Sequence, residues 1–195
     1  MFIEEIVDVS KLNKLPPKKG YVVLSEPFMM DNNFKQAVVY LCEHNKEGSY
    51  GFILNNLLSA SISELIQEID VKNIPVAYGG PVQSDSLFYL HNLGDKIENS
   101  TMIVPGIWSG GNFDQVISLI NDRIITKEQI RFFLGYSGWT DGQLVNEMKS
   151  YSWIVVKFNS KNVLKINKDL WRSILKQKGG QYKIISNFPL NPLEN

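Results

Sequence analysis

Gln143 and Glu147 stand four residues apart in a stretch that opens Thr140-x-x-Gln143. On a helix that spacing stacks both side chains on one side, and Thr followed three residues later by Gln is a capping-box start. Leu144 and Met148 fall on the adjoining side and are expected in the core. Gln143 and Glu147 would then line the core's edge, with Tyr136, Trp139 and a turn at Gly138 beside them. An amide, a carboxylate and aromatic rings on one turn can hold a small ligand or a partner. Equally, Gln143 can cap the helix while Glu147 sits in solvent, in which case Glu147→Gln should change stability by no more than about 0.5 kcal/mol.

The other chemistry-bearing residues are less complete. Ser137 in Gly135-Tyr136-Ser137-Gly138-Trp139 invites comparison with the G-x-S-x-G nucleophile elbow, but Trp139 stands where the second glycine must be. Ser109 fails in the same way at Ile107. Gly79-Gly80-Pro81 could aim backbone amides at an anion. Pro81 removes one donor, however, and no Lys-Ser/Thr pair follows, so a structural turn is the expectation. Cys42 lies in an apolar run with no Lys or Arg beside it, and is read as a core residue. His44 and His91 each follow an apolar run, a place where α/β sheets often carry functional side chains and where hydrogen-bonded boundary histidines also sit. The ligand-binding candidates are His91, Tyr136, Trp139, Gln143 and Glu147; no catalytic residue, metal ligand or cofactor is assigned.

These residues need elements to position them. Gly20–Leu24, Ala37–Cys42, Tyr50–Leu54, Pro75–Tyr78, Ser86–Leu90, Arg131–Tyr136 and Trp153–Val156 read as strands, and Met102–Val104 is expected to pair with Ser86–Leu90. The short link between Cys42 and Tyr50 predicts an antiparallel hairpin, which puts His44 and Asn55 at opposite ends. Ser61-x-x-Glu64 predicts a helix carrying Ile62, Leu65, Ile66 and Ile69. Apolar positions 113, 116, 117 and 120 predict another, and Thr126-x-x-Gln129 a short third. A helix from Thr140 to about Lys149 and one over Asp169–Lys178, ended by Gly179-Gly180, complete the series. Interleaved strands and helices plus a hairpin predict a mixed-sheet α/β fold.

Composition sets outer limits. With 44% hydrophobic and 21% charged residues, wholesale disorder is excluded. Apolar runs of about six residues fall far short of the ~18 a membrane helix needs, so no membrane association is expected. Glu4, Glu5 and Asp8 interrupt any leader-like start. The single Cys42 fits a reduced, cytoplasmic setting, and one cysteine with two histidines is too few for a structural zinc site. Residues 157–195 carry eight basic and two acidic side chains, so a chain with 20 of each divides into parts of net −6 and +6. Lysines dominate the basic part and no aromatic-rich loop accompanies them, which argues against nucleic-acid reading.

Ser25-Glu26-Pro27-Phe28-Met29-x-Asp31-x-x-Phe34, Glu43-His44-Asn45, Gly51-Phe52-Ile53-Leu54-Asn55, Tyr78-Gly79-Gly80-Pro81-Val82, Leu90-His91, the run from Leu134 to Glu147, and Trp153 follow one another in a distinctive order and spacing. Together they resemble the YqgE/AlgH family, whose members are bacterial cytosolic proteins. The resemblance extends from about Gly20 to Gly179. It implies a mixed, bifurcated sheet curled towards a barrel with flanking helices; it implies no established activity, and one branch carries a transcriptional-regulator label.

The expected organisation is an N-terminal extension over 1–19, one α/β domain over 20–186 and a tail over 187–195. The leading functional expectation is a cytosolic binding or regulatory module that uses the Trp139–Glu147 surface for a small ligand or protein partner. The alternatives are an enzyme with Glu147 or His91 as general base, and a nucleic-acid-linked transcriptional regulator.

Overall fold

The structure is a computed structural model that describes residues 15–188. The expected extension falls mostly on 1–14 and the tail mostly on 189–195, outside the described residues. In chain order the elements are β1 (Tyr21–Ser25), β2 (Val38–Asn45), β3 (Gly48–Ile53), β4 (Leu57–Ser61), α1 (Ile62–Leu65), β5 (Pro75–Tyr78), β6 (Val82–His91), β7 (Thr101–Val104), β8 (Ile107–Ser109), α2 (Phe113–Asn121), β9 (Ile130–Thr140), α3 (Gln143–Lys149), β10 (Trp153–Lys157), α4 (Leu170–Lys178) and α5 (Gly180–Ile185). The sheet runs β10-β1-β2-β3-β9-β6-β8-β7, with β4 and β5 branching from it. It is mixed, curled into a half-barrel and flanked by helices, as the sequence led us to expect.

The branch point is β9. Its first half pairs in parallel with β5, Phe132 to Leu134 against Val76 to Tyr78. Its second half pairs antiparallel with β3, Ser137 to Thr140 against Gly51 to Gly48. Between the two lies Gly135 at φ 67°, where a Cβ would stand 2.3 Å from the Gly80 carbonyl oxygen. The Gly79 carbonyl closes the fork, accepting from the Ile53 amide at 3.0 Å and from the buried Ser137 hydroxyl at 3.0 Å. Gly79-Gly80-Pro81 and Gly135-Tyr136-Ser137 therefore meet as the two sides of one joint, and Ser137 is part of that joint rather than a nucleophile.

Alternation along β9 divides the core. Phe133 joins the apolar interior with Tyr40, Phe52, Trp171 and Leu175, so α4 covers that face, and the Trp171 indole N–H donates to the Ser25 carbonyl at 2.9 Å. Phe132 points the other way, against Val116 and Ile120 of α2. Trp139, Leu144 and Trp153 make a third cluster with Val39. Arg131 is buried among these elements. It donates to the carbonyls of Val163 and Lys165 at 2.9 Å and to that of Leu54, and burial holds its pKa down to about 10.

Four local expectations are corrected. The helix after Ser61 is a single turn: the Ser61 hydroxyl engages the Ser63 and Glu64 side chains instead of a backbone amide, and Ile66 is extended at φ −123°. Thr126 and Gln129 close only a turn, because the next residue, Ile130, is drawn into β9 and fully buried. Ser137-Gly138-Trp139 is strand, not turn: Ser137 and Trp139 are buried while Gly138 and Thr140 are exposed, the period of a half-covered strand. Finally, β7 pairs with β8, which intervenes between it and β6. β4, β8 and α5 have no counterpart in the sequence expectation.

Candidate functional site

Gly142, at φ 68°, turns the chain from β9 into α3. The expected capping box is not formed, since Gly142 rather than Thr140 is the N-cap and no side chain caps the helix; instead the Gln143 amide oxygen accepts from the Thr140 amide at 3.0 Å across the turn, and its nitrogen donates to Glu147 Oε1 at 2.9 Å. The other carboxylate oxygen of Glu147 accepts two indole N–H groups, from Trp139 at 2.9 Å and Trp153 at 2.7 Å. The two indoles meet edge to face with centroids 5.5 Å apart. Glu147 thus fastens α3 to β9 and β10 rather than standing in solvent.

His91 is held as firmly and in a different place, among β6, β8 and the loop after β8. Its Nε2 lies 3.0 Å from the Gly110 carbonyl oxygen and its Nδ1 accepts from the Leu93 amide at 3.3 Å. That pairing assigns the ring proton to Nε2. The ring stacks on Trp108, and burial holds its pKa below the ordinary 6.5. His44 bonds Ser49 near the hairpin turn at 2.7 Å, whereas Asn55 ties Val38 and Gln36 at the far end.

Tyr136, Trp139 and Gln143 line a groove of about 700 Å³ on the concave side of the half-barrel, together with Tyr50, Phe52, Phe88, Glu43 and Glu47; Glu147 and His91 are not in its lining. Strand alternation builds it. Tyr50 and Phe52 share one face of β3, and Tyr50 sits opposite Glu43 on β2 and opposite Gly138 on β9. Tyr50, Phe52, Phe88 and Tyr136 form a closed cycle of rings with neighbouring centroids 6.2, 5.8, 5.5 and 6.1 Å apart. The Tyr50 hydroxyl, bonded to Ser109, has its pKa pushed up to about 12, chiefly by burial. Sequence reasoning missed Glu43, Tyr50, Phe52 and Phe88. The alternating aromatics at 50 and 52 were a legible signal; their pairing with Gly138 was not.

A larger hollow of about 1670 Å³ lies between β4 and the β7–β8 turn. It contains none of the five expected residues, and its lining carries charge of both signs, Lys127 and Lys161 as well as Glu64 and Glu128. Cys42 is buried and unbridged, with its thiol pKa pushed well up by burial. Among the described residues no cluster of His, Cys, Asp or Glu is placed to hold a metal, and no helix is long and apolar enough to cross a membrane.

Fold and groove together define a class: a curled, mixed-sheet α/β half-barrel with an aromatic opening on its concave side. The family model described as AlgH-like (DUF179) matches residues 22–183, and the chain belongs to that family. Relatives named only as UPF0301 proteins include one from Cytophaga hutchinsonii, 37% identical, with 91% of this chain and 98% of the relative covered. Another, from Bacteroides thetaiotaomicron, is 39% identical over 96% of this chain and 97% of its own length. The solution structure of AlgH from Pseudomonas aeruginosa matches with a TM-score of 0.70 at 25% identity, covering 90% of this chain and 97% of that one. Protein DIP2367 from Corynebacterium diphtheriae shares the fold, with a TM-score of 0.75 at 19% identity over 96% and 100% of the two chains. The sequence resemblance to the YqgE/AlgH family is borne out.

Proposed function

We propose that the protein is a cytoplasmic binding or regulatory module that seats a small ligand in the concave groove beside Tyr136, Trp139 and Gln143. One observation carries the reading: rings contributed by three strands line one groove beside the exposed Gly138. Its φ is not positive, so the backbone does not demand glycine there, whereas a Cβ would crowd the Tyr136 ring at 3.1 Å and touch Val82 at 3.6 Å, so a side chain at 138 would narrow the groove. The volume lies within the range of about 300–1,000 Å³ usual for small-molecule sites. A general-base role for Glu147 or His91 loses support, since both already hold protein donors. A reduced compartment suits the buried free Cys42.

The test is an NMR fragment screen on the full chain, with Gly138→Val as the blocked control. The reading expects shifts at Tyr50, Gly138 and Gln143 that vanish in the variant. A library that leaves those amides unmoved sinks it.

A further inference from the structure

Resting on that reading, we infer that the groove takes a small organic cation: an ammonium or guanidinium group carried on an apolar body. Among the described residues, the formally charged side chains in its lining are Glu43 and Glu47, with no Lys or Arg. The hollow near β4, with charges of both signs, offers no such selection.

Register places one carboxylate where a cation would need it. Glu43, Tyr50 and Gly138 lie directly opposite one another on three adjacent strands, so their side-chain positions share a face. With strands ~4.8 Å apart, a group resting over Tyr50 has the exposed Gly138 backbone on one side and the Glu43 stem on the other. Aromatic faces carry negative potential and attract a cation within about 6 Å of the centroid. Burial there lowers the local dielectric, which strengthens attraction to a positive charge and repulsion of a negative one. An anion would meet two carboxylates, and a neutral molecule would gain only burial. The ligand body would rest on the exposed Gly138 backbone, between the Tyr136 ring and Val82, which approach the Gly138 Cβ position to 3.1 and 3.6 Å.

Three probes with one body and different charge separate these cases: phenethylammonium, 2-phenylethanol and phenylacetate, each titrated into the full chain while the Tyr50 and Gly138 amides are followed by NMR. Phenethylammonium should bind about tenfold or more tightly than the alcohol, with phenylacetate weakest. Combining Glu43→Gln with Glu47→Gln should erase the preference, bringing phenethylammonium down towards the alcohol, because the amides keep the shape and remove the charge. Gly138→Val, or the milder Gly138→Ala, should weaken all three probes. Equal or tighter binding of the alcohol or phenylacetate overturns the cation inference while leaving the groove as a ligand seat, and so does a preference that survives the double variant. Fragments of other classes binding there while phenethylammonium does not would also overturn it. Failure of every fragment to reach the groove overturns the binding reading itself.

Discussion

Three donors converge on Glu147: two indoles share Oε2 and the Gln143 amide takes Oε1. Exchanging one oxygen for an NH₂ group sets donor against donor. Gln143 cannot simply flip in response, since its oxygen is already engaged by the Thr140 amide. Glu147→Gln should therefore destabilise by about 1–3 kcal/mol in urea unfolding, against the 0.5 kcal/mol or less expected of a solvated position. A neutral outcome would show that the indoles find other acceptors. His91 gives a pH signature. Burial lowers its pKa in the folded state, so below about pH 6.5 the unfolded chain binds a proton that the folded chain resists. Stability contributed by this group is present above that range and falls as the pH drops through it. In His91→Gln the loss of stability between about pH 7 and 5 should shrink, and an unchanged slope would assign the effect to other groups.

At the scale of elements, two glycines of one motif do opposite things. Gly135 stands at φ 67° with backbone of the Gly80 segment against it, so Gly135→Ala should lower stability by well over 1 kcal/mol, combining strain and clash. Gly138 is ordinary strand, and Gly138→Ala should stay within about 1 kcal/mol; thermal melts of the pair distinguish the roles. Much of this was legible. Apolar runs located β1, β3, β9 and β10, and the polar link predicted the β2–β3 hairpin. The Thr140-x-x-Gln143 pattern announced α3, although the helix begins at Gln143 and Gly142 is its N-cap. What escaped depends on partners far along the chain. β4 and β8 are short and read as loops alone; β4 acquires strand geometry by pairing with β5, and β8 by lying between β6 and β7. Likewise Trp139 and Gln143 were visible as a patch, whereas Tyr50 and Glu43 join Gly138 only through the register of three strands. At Glu147, helical spacing reveals a side but not the two indoles that reach it.

For the molecule as a whole, Phe133 and Trp153 lie at the centres of different apolar clusters and are fully buried. Alanine at either should destabilise by about 3–5 kcal/mol, read by denaturant unfolding. The ends of the described chain also contribute. Leu15 packs on the third cluster, and Phe188 lies 5.2 Å from Phe28, centroid to centroid. The Phe188 carbonyl accepts from the buried Gln36 amide at 3.1 Å. A chain cut to 20–186 leaves that amide without its partner. It should be less stable than 15–188 by about 1–3 kcal/mol, and equal midpoints would make both ends ornamental.

The fork at β9 also governs timing. β3, β5 and β6 all precede β9 in the chain, and all three take their central pairing from it. During synthesis the β2–β3 hairpin can form early, while β5 and β6 must wait with open edges until residue 140 has cleared the ribosome exit. Pairing across so many intervening residues slows closure, and open edges in the interval invite association with other nascent chains. The joint that shapes the groove therefore makes the first two-thirds of the chain dependent on what is translated next.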